Sequence, residues 1–257
     1  MSVKRIYCVY HDDKYACQWI RDDATNKIVE FFDDRGFEVI DTQGLVKVLS
    51  DGIKRPNVDI VIVFSQDVIP DKVVDNIQSP GPNSLFRRFL NAGHTIIWLG
   101  DVPTYHVGLP DKTTRMPPQP QTIKNLIGME PPTRTDDRLV LVKPTLWGLI
   151  LGLKPWMGKR PHPQPANIIP LAVSREGVHS YAYSPTPQLS LTLSGVVRLY
   201  DFNPITSETL SDEMLETIFN IALRKSLLSD ISALARQFNI LRDEVDKKLG
   251  KKLDKIL

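Results

Sequence analysis

The chain has 257 residues, 42% hydrophobic and 24% charged, with a formal net charge of +2. That is the balance of one large globular domain, or of a domain with an appendage, and so small a charge argues neither for nor against a nucleic-acid partner. No apolar run approaches the roughly 18 to 20 residues of a membrane-spanning helix, and Cys8 and Cys17 are too few for a disulfide scaffold, so a reducing cytoplasm is the expected compartment.

The run Ile6 to Tyr10 breaks at His11-Asp12-Asp13. It predicts a first strand rather than a secretion signal, with Cys8 a small core residue. From Trp19 to Arg35, Ile20, Ala24, Ile28, Phe31 and Phe32 recur at helical spacing, and Gly36 closes the run. Phe37 to Ile40 is a strand, and Leu45, Val46, Val48 and Leu49 predict a short helix ending near Gly52. Val58 to Phe64, VDIVIVF, is nearly all β-branched or aromatic and predicts a strand buried on both faces. Asn83 or Ser84 caps a helix from Leu85 to Leu90; a strand, Thr95 to Leu99, then ends in the polar tip Gly100-Asp101-Val102-Pro103. Strands alternating with helices need crossovers, which predicts a doubly wound α/β fold with a mainly parallel sheet.

Fifteen of the 20 prolines fall between Pro103 and Pro187. Proline interrupts helices and central strands, so Pro-rich insertions with long loops are expected here. Between them lie short pieces at Gln121 to Ile127, Leu139 to Val142 and Thr145 to Leu153, anchored by Trp147, Trp156, Ile168, Ile169, Leu171 and Val173. In the segment Trp147 to Pro163, Trp156, Lys159, Arg160 and His162 either stack a base and hold a phosphate or form a loop whose Trp plugs the core. The plug is the preferred reading. Further strands, partly antiparallel, are expected at Val178 to Tyr183, Leu189 to Leu193 and Val196 to Tyr200, and a closing helix at Leu210 to Leu223.

Beyond it, Ile231, Leu234, Phe238, Leu241 and Val245 recur at alternating steps of three and four, and the stripe then shifts to Leu249, Leu253 and Ile256. So narrow a stripe predicts a coiled-coil helix, and with it self-association or a helical protein partner. The terminal lysines Lys247, Lys248, Lys251, Lys252 and Lys255 complement a helix C-terminus; nucleic-acid contact is the less favoured alternative. Residues 1–225 form the α/β domain and 226–257 the tail.

In an open parallel sheet, ligands bind beyond the carboxyl ends of the strands. The residues there are His11 and Asp12 after the first strand, Ser65, Gln66 and Asp67 after the third, and Gly100, Asp101, Tyr105 and His106 after the fourth. They form a candidate crevice for a nucleotide-like small molecule. The competing reading is that the Asp and Ser residues cap loops and helices. No histidine spacing suits a metal, no glycine-rich phosphate loop is present, and no cofactor is expected.

The runs VDIVIVFSQDVIPDKVV, LFRRFLNAGHTIIWLGDVP and SGVVRLYDF resemble the class I glutamine amidotransferase-like superfamily, and within it the trehalose-utilisation-like branch that lacks amidotransferase activity. The resemblance implies a flavodoxin-like sheet. It does not bring the catalytic set: no Gly-x-Cys-x-Gly elbow is present, both cysteines precede the second strand, and His94 stands where the motif has a second glycine. A thiolate on a strained elbow is what glutamine hydrolysis needs. The start, IYCVYHDDKYACQWI with RGFEVID, also resembles TIR domains, but the stretch after the third strand offers Asp67, Asp71 and Asp75 and no glutamate. The expectation is therefore a non-catalytic sensor or assembly module, suited to a signalling or defence complex. A hydrolase or a TIR-like NAD-consuming enzyme is the alternative.

Overall fold

The computed structural model describes residues 4–55, 57–118, 121–129, 138–162, 168–185 and 194–223. The chain divides into two units, Met1–Ala222 and Leu223–Leu257. The tail stripe of Ile231, Leu234, Phe238, Leu241 and Val245 lies outside the described residues, as does the strand expected at Leu189 to Leu193.

In chain order the first unit holds β1 (Lys4–Tyr10), α1 (Asp22–Asp33), β2 (Glu38–Ile40), α2 (Thr42–Lys54) and β3 (Val58–Phe64). Then come β4 (Ile69–Pro70), α3 (Leu85–Asn91), β5 (Thr95–Leu99), β6 (Val107–Gly108), β7 (Thr114–Arg115) and α4 (Gln121–Leu126). The rest are β8 (Val140–Pro144), α5 (Leu146–Ile150), β9 (Trp156–Gly158), β10 (Ile168–Val173), β11 (Val178–Tyr183), β12 (Gly195–Leu199) and α6 (Asp212–Ala222). The class is mixed α/β. Among the described residues, nine strands make one sheet in the order β2-β1-β3-β5-β12-β11-β10-β8-β9. The first five are parallel, and every pairing beyond β12 is antiparallel. β12 is the seam between the two halves. The short strands β4, β6 and β7 form a second sheet that ties the segments after β3 and β5 together.

Alternation along the strands builds two cores. Cys8, Tyr10, Ile60, Ile62, Phe64, Ile96, Trp98 and Val196 pack with Leu45 and Leu49 of α2, Phe86 and Phe89 of α3, and Ile123 and Leu126 of α4. The intervening Val9, Val61, Val63, Ile97, Val197 and Leu199 are buried too and face the other way by the two-residue period. On that side α1 packs against β1 and α6 against β3, and the two helices meet. A strand covered on both faces has to be apolar throughout, as VDIVIVF is.

Local competition moves some boundaries. The helix expected from Trp19 starts at Asp22, because the N–H groups of Gln18 and Trp19 donate to the Asp67 carboxylate at 2.8 and 2.7 Å. Ser84 precedes α3 without capping it: its hydroxyl donates to Asp75 Oδ1 at 2.7 Å and to the Gly81 carbonyl. β10 was legible only as scattered apolar anchors, since Pro170 interrupts its pattern; the sheet accommodates that proline where the β10–β11 register shifts. Trp156 is buried, as a plug should be, whereas Trp147 is 40% exposed. Among the described residues no helix is long and apolar enough to cross a membrane.

Candidate functional site

The parallel strand order reverses at β1, so the mouth between β1 and β3 is where crossovers leave in opposite directions and a crevice opens. A cleft of about 180 Å³ lies there, lined by His11, Asp13, Tyr15, Cys17, Asp22, Thr25, Asn26, Gln66 and Lys112. Of the expected crevice residues, His11 and Gln66 line it. Asp12, Ser65 and Asp67 are buried behind it. Asp12 accepts from the Lys14 N–H at 3.0 Å and the Thr42 N–H at 3.1 Å, and Ser65 Oγ donates to the Tyr10 carbonyl at 2.8 Å. Gln66 accepts from the Asp12 N–H and donates to the Asp12 and Tyr15 carbonyls. These side chains hold the loops that form the cleft wall.

Their protonation follows from those bonds. Burial acts to raise the Asp12 carboxyl, but the Lys14 and Thr42 bonds outweigh it and hold the group below the usual range. Asp67 goes the other way: burial, with Asp101 adding to it, outweighs its two backbone donors and pushes it up to about 6. Burial also pushes the Cys17 thiol up to about 11 and the Cys8 thiol up to about 12. Neither cysteine is a thiolate near neutral pH.

A second cluster occupies the rim of β5 and β12. Gly100 turns the chain at φ +82°, and Asp101 follows, fully buried. Both Asp101 oxygens accept from Arg160 Nη1, at 2.9 and 2.8 Å, and Oδ1 also takes the Val102 N–H at 2.6 Å. The Arg160 guanidinium lies over the rings of Trp19 and Tyr105, 5.0 and 4.7 Å from their centroids. His106 Nε2 is 3.9 Å from Asp101 Oδ2. Gly100, Asp101, Tyr105 and His106 thus come together around an arginine from the proline-rich segment. Burial raises the Asp101 carboxyl against the pull of Arg160, and burial lowers His106 against the pull of Asp101.

The cluster continues inward. Arg198, inside β12 and fully buried, donates to the carbonyls of Arg160 and Gly100. Asp201, three residues on and just past β12, accepts from Trp156 Nε1 at 2.9 Å and pairs with His179 Nδ1 at 2.5 Å, and His179 Nε2 lies 2.9 Å from Ser174 Oγ. The His162 ring lies 5.3 Å from that of Tyr181 at a tilt, both its ring nitrogens lack a hydrogen-bond partner among the described residues, and burial holds its pKa well below the usual value. Thr104, Arg160 and Tyr200 have φ of 75°, 50° and 49°. Left-handed backbone at such residues costs energy and concentrates at functional sites.

A family model, the MJECL34 family, matches residues 4–225. The chain belongs to the MJECL34 family. The uncharacterized protein MJECL34 of Methanocaldococcus jannaschii is 34% identical over 260 residues, covering 97% of this chain and 86% of that protein.

Both rim clusters fall inside the MJECL34 match. Sequence reasoning placed the β1/β3 mouth and the Gly100-Asp101 tip but missed Ser174, His179, Arg198 and Asp201. The available signal was an arginine inside the apolar strand GVVRL and a histidine inside VHSYAY, since a buried charge needs partners that sequence neighbours do not supply. Among the described residues, no group of His, Cys, Asp and Glu is placed to hold a metal ion.

Proposed function

We propose that the chain is a cytoplasmic, flavodoxin-like module of the amidotransferase-like type that senses or assembles and does not hydrolyse glutamine. A small, nucleotide-like ligand would enter the β1/β3 cleft, and residues 226–257 would join copies or dock a helical partner. The observation that carries this reading is the state of the thiols. Cys8 is walled into β1, and Cys17 lies in the loop between β1 and α1 with its Sγ 3.6 Å from Thr25 Oγ1; burial raises both thiols, so neither supplies the thiolate on an elbow that defines the active branch. The parallel order β2-β1-β3-β5-β12 supports the fold part, because it matches the order expected of a flavodoxin-like sheet, with the reversal at the cleft. A TIR-like or other hydrolase built on strand-end carboxylates is the weaker reading. Asp12 and Asp67 direct their oxygens at backbone N–H groups.

The test is native mass spectrometry of the full chain, of the Cys8→Ala/Cys17→Ser variant and of a chain ending at residue 225, alongside ammonia release from glutamine. We expect the cysteine variant to keep the copy number and any retained small molecule, the truncated chain to be monomeric, and no ammonia from any of them. Ammonia release that disappears in the cysteine variant overturns the reading.

A further inference from the structure

We propose that Ser174, His179 and Asp201 form a nucleophilic serine centre that cleaves carboxylic esters. The three residues come from separate places in the seam: the β10–β11 turn, β11 itself, and the residue pair beyond β12. β11 runs antiparallel to β12, with Tyr181 opposite Arg198. Its start, and the turn before it, therefore sit at the rim where the parallel strands end.

The geometry sets the roles. Ser174 Oγ is 2.9 Å from His179 Nε2, His179 Nδ1 is 2.5 Å from Asp201 Oδ2, and Trp156 Nε1 fixes Asp201 Oδ1 at 2.9 Å. A carboxylate only accepts, so the imidazole proton sits on Nδ1 and Nε2 is left to accept from the Ser174 hydroxyl. His179 and Asp201 are fully buried while Ser174 is half-buried, which leaves the nucleophile reachable and its supports dry. Gly158 makes room for the pair: a Cβ there would meet Asp201 Oδ1 and His179 Nδ1 at less than van der Waals distance.

In the reaction Ser174 Oγ adds to the ester carbonyl and gives its proton to His179. The C–O bond to the alcohol breaks, the alcohol leaves with that proton, and a water deprotonated by His179 then releases the acid and restores Ser174. An ester is the class that needs least help, since its alkoxide departs with the single proton that His179 holds. The centre uses neither the cleft nor the thiols, so it stands or falls apart from the binding reading.

A purely structural account makes Ser174 a turn residue. Its Oγ also accepts the Glu176 N–H at 3.1 Å and lies 3.0 Å from Glu176 Oε2. The two accounts differ on Glu176, an exposed carboxylate that competes with His179 for the hydroxyl proton. The full chain is treated with a fluorophosphonate, whose phosphorus bonds to Oγ as fluoride leaves, and the adduct is read by intact mass and located by peptide mapping. We expect one adduct, on Ser174, faster labelling in Glu176→Ala, none in Ser174→Ala, and a rate lower by roughly 10² to 10⁴-fold in His179→Gln. Asp201, a positioning residue, should give a similarly slower rate as Asp201→Asn, whose amide favours the wrong tautomer. No adduct in either the native chain or Glu176→Ala, or an adduct mapped to another residue, overturns the proposal. Both of those readings hold even if a buried-site variant fails to fold.

Discussion

The parallel half of the sheet and the antiparallel half are built on opposite rules. In β1, β3 and β5 the buried interior is apolar, and polar side chains wait until the strands end, where they satisfy loop backbone. Across the seam, polar groups enter the strands themselves. Arg198, His179, Ser180 and Tyr181 are all fully buried within β12 and β11. Apolar side chains meanwhile move outward: Leu141, Leu146, Leu149 and Met157 are roughly half exposed or more. The parallel half is a scaffold whose stability comes from packing. The antiparallel half gives up packing for a charge network, and it is there that strained backbone and titratable groups collect.

Removing packing from the scaffold should therefore cost most. Trp98 is fully buried in β5, its ring 5.3 Å from that of Phe64 and its Nε1 donating to the Asp101 carbonyl. Trp98→Ala is expected to lose about 4 kcal/mol in urea unfolding. A loss under about 1 kcal/mol would mean that the parallel half is not the stabilising one.

Next come two aspartates just past the ends of parallel strands, Asp101 after β5 and Asp12 after β1. Asp101→Ala strands the Arg160 guanidinium beside two rings and should cost about 3 kcal/mol. Asp12→Ala loses only acceptors for two backbone N–H groups and should cost about 1 kcal/mol. Equal costs would remove the distinction between a strand-end cap and the seam's ion pair.

At neutral pH the smallest effect concerns His162, and it shows as a pH dependence. The fold keeps His162 neutral, so below about pH 6.5 the unfolded chain binds a proton that the native chain does not. Stability then falls on acidification, with this residue contributing about 1.4 kcal/mol per pH unit. His162→Phe keeps the ring contact with Tyr181 and removes two unpartnered nitrogens. At pH 7 it should leave stability within about 1 kcal/mol of the native chain, and between pH 6 and pH 5 its stability should fall less steeply. Identical slopes would show that His162 is not buried neutral.

The sequence alone determined the parallel half from β1 to β5, but not that β12 joins it beside β5. Strands buried on both faces must be continuous runs of apolar residues, and the helices between them must repeat every three to four positions, so Val58 to Phe64 and Leu85 to Leu99 announce themselves. It also determined that Gly100-Asp101 is the tip of a strand and that no cysteine stands on an elbow. The tertiary structure alone decided the seam. Arg160 reaches Asp101 across 59 positions and Asp201 reaches His179 across 22; a pairing between residues that far apart leaves no period in the chain to read. It decided as well that Asp12 and Asp67 face backbone rather than ligand. An aspartate at a strand end is written the same way for either use, and only the placement of the N–H groups of Lys14, Thr42, Gln18 and Trp19 selects between them.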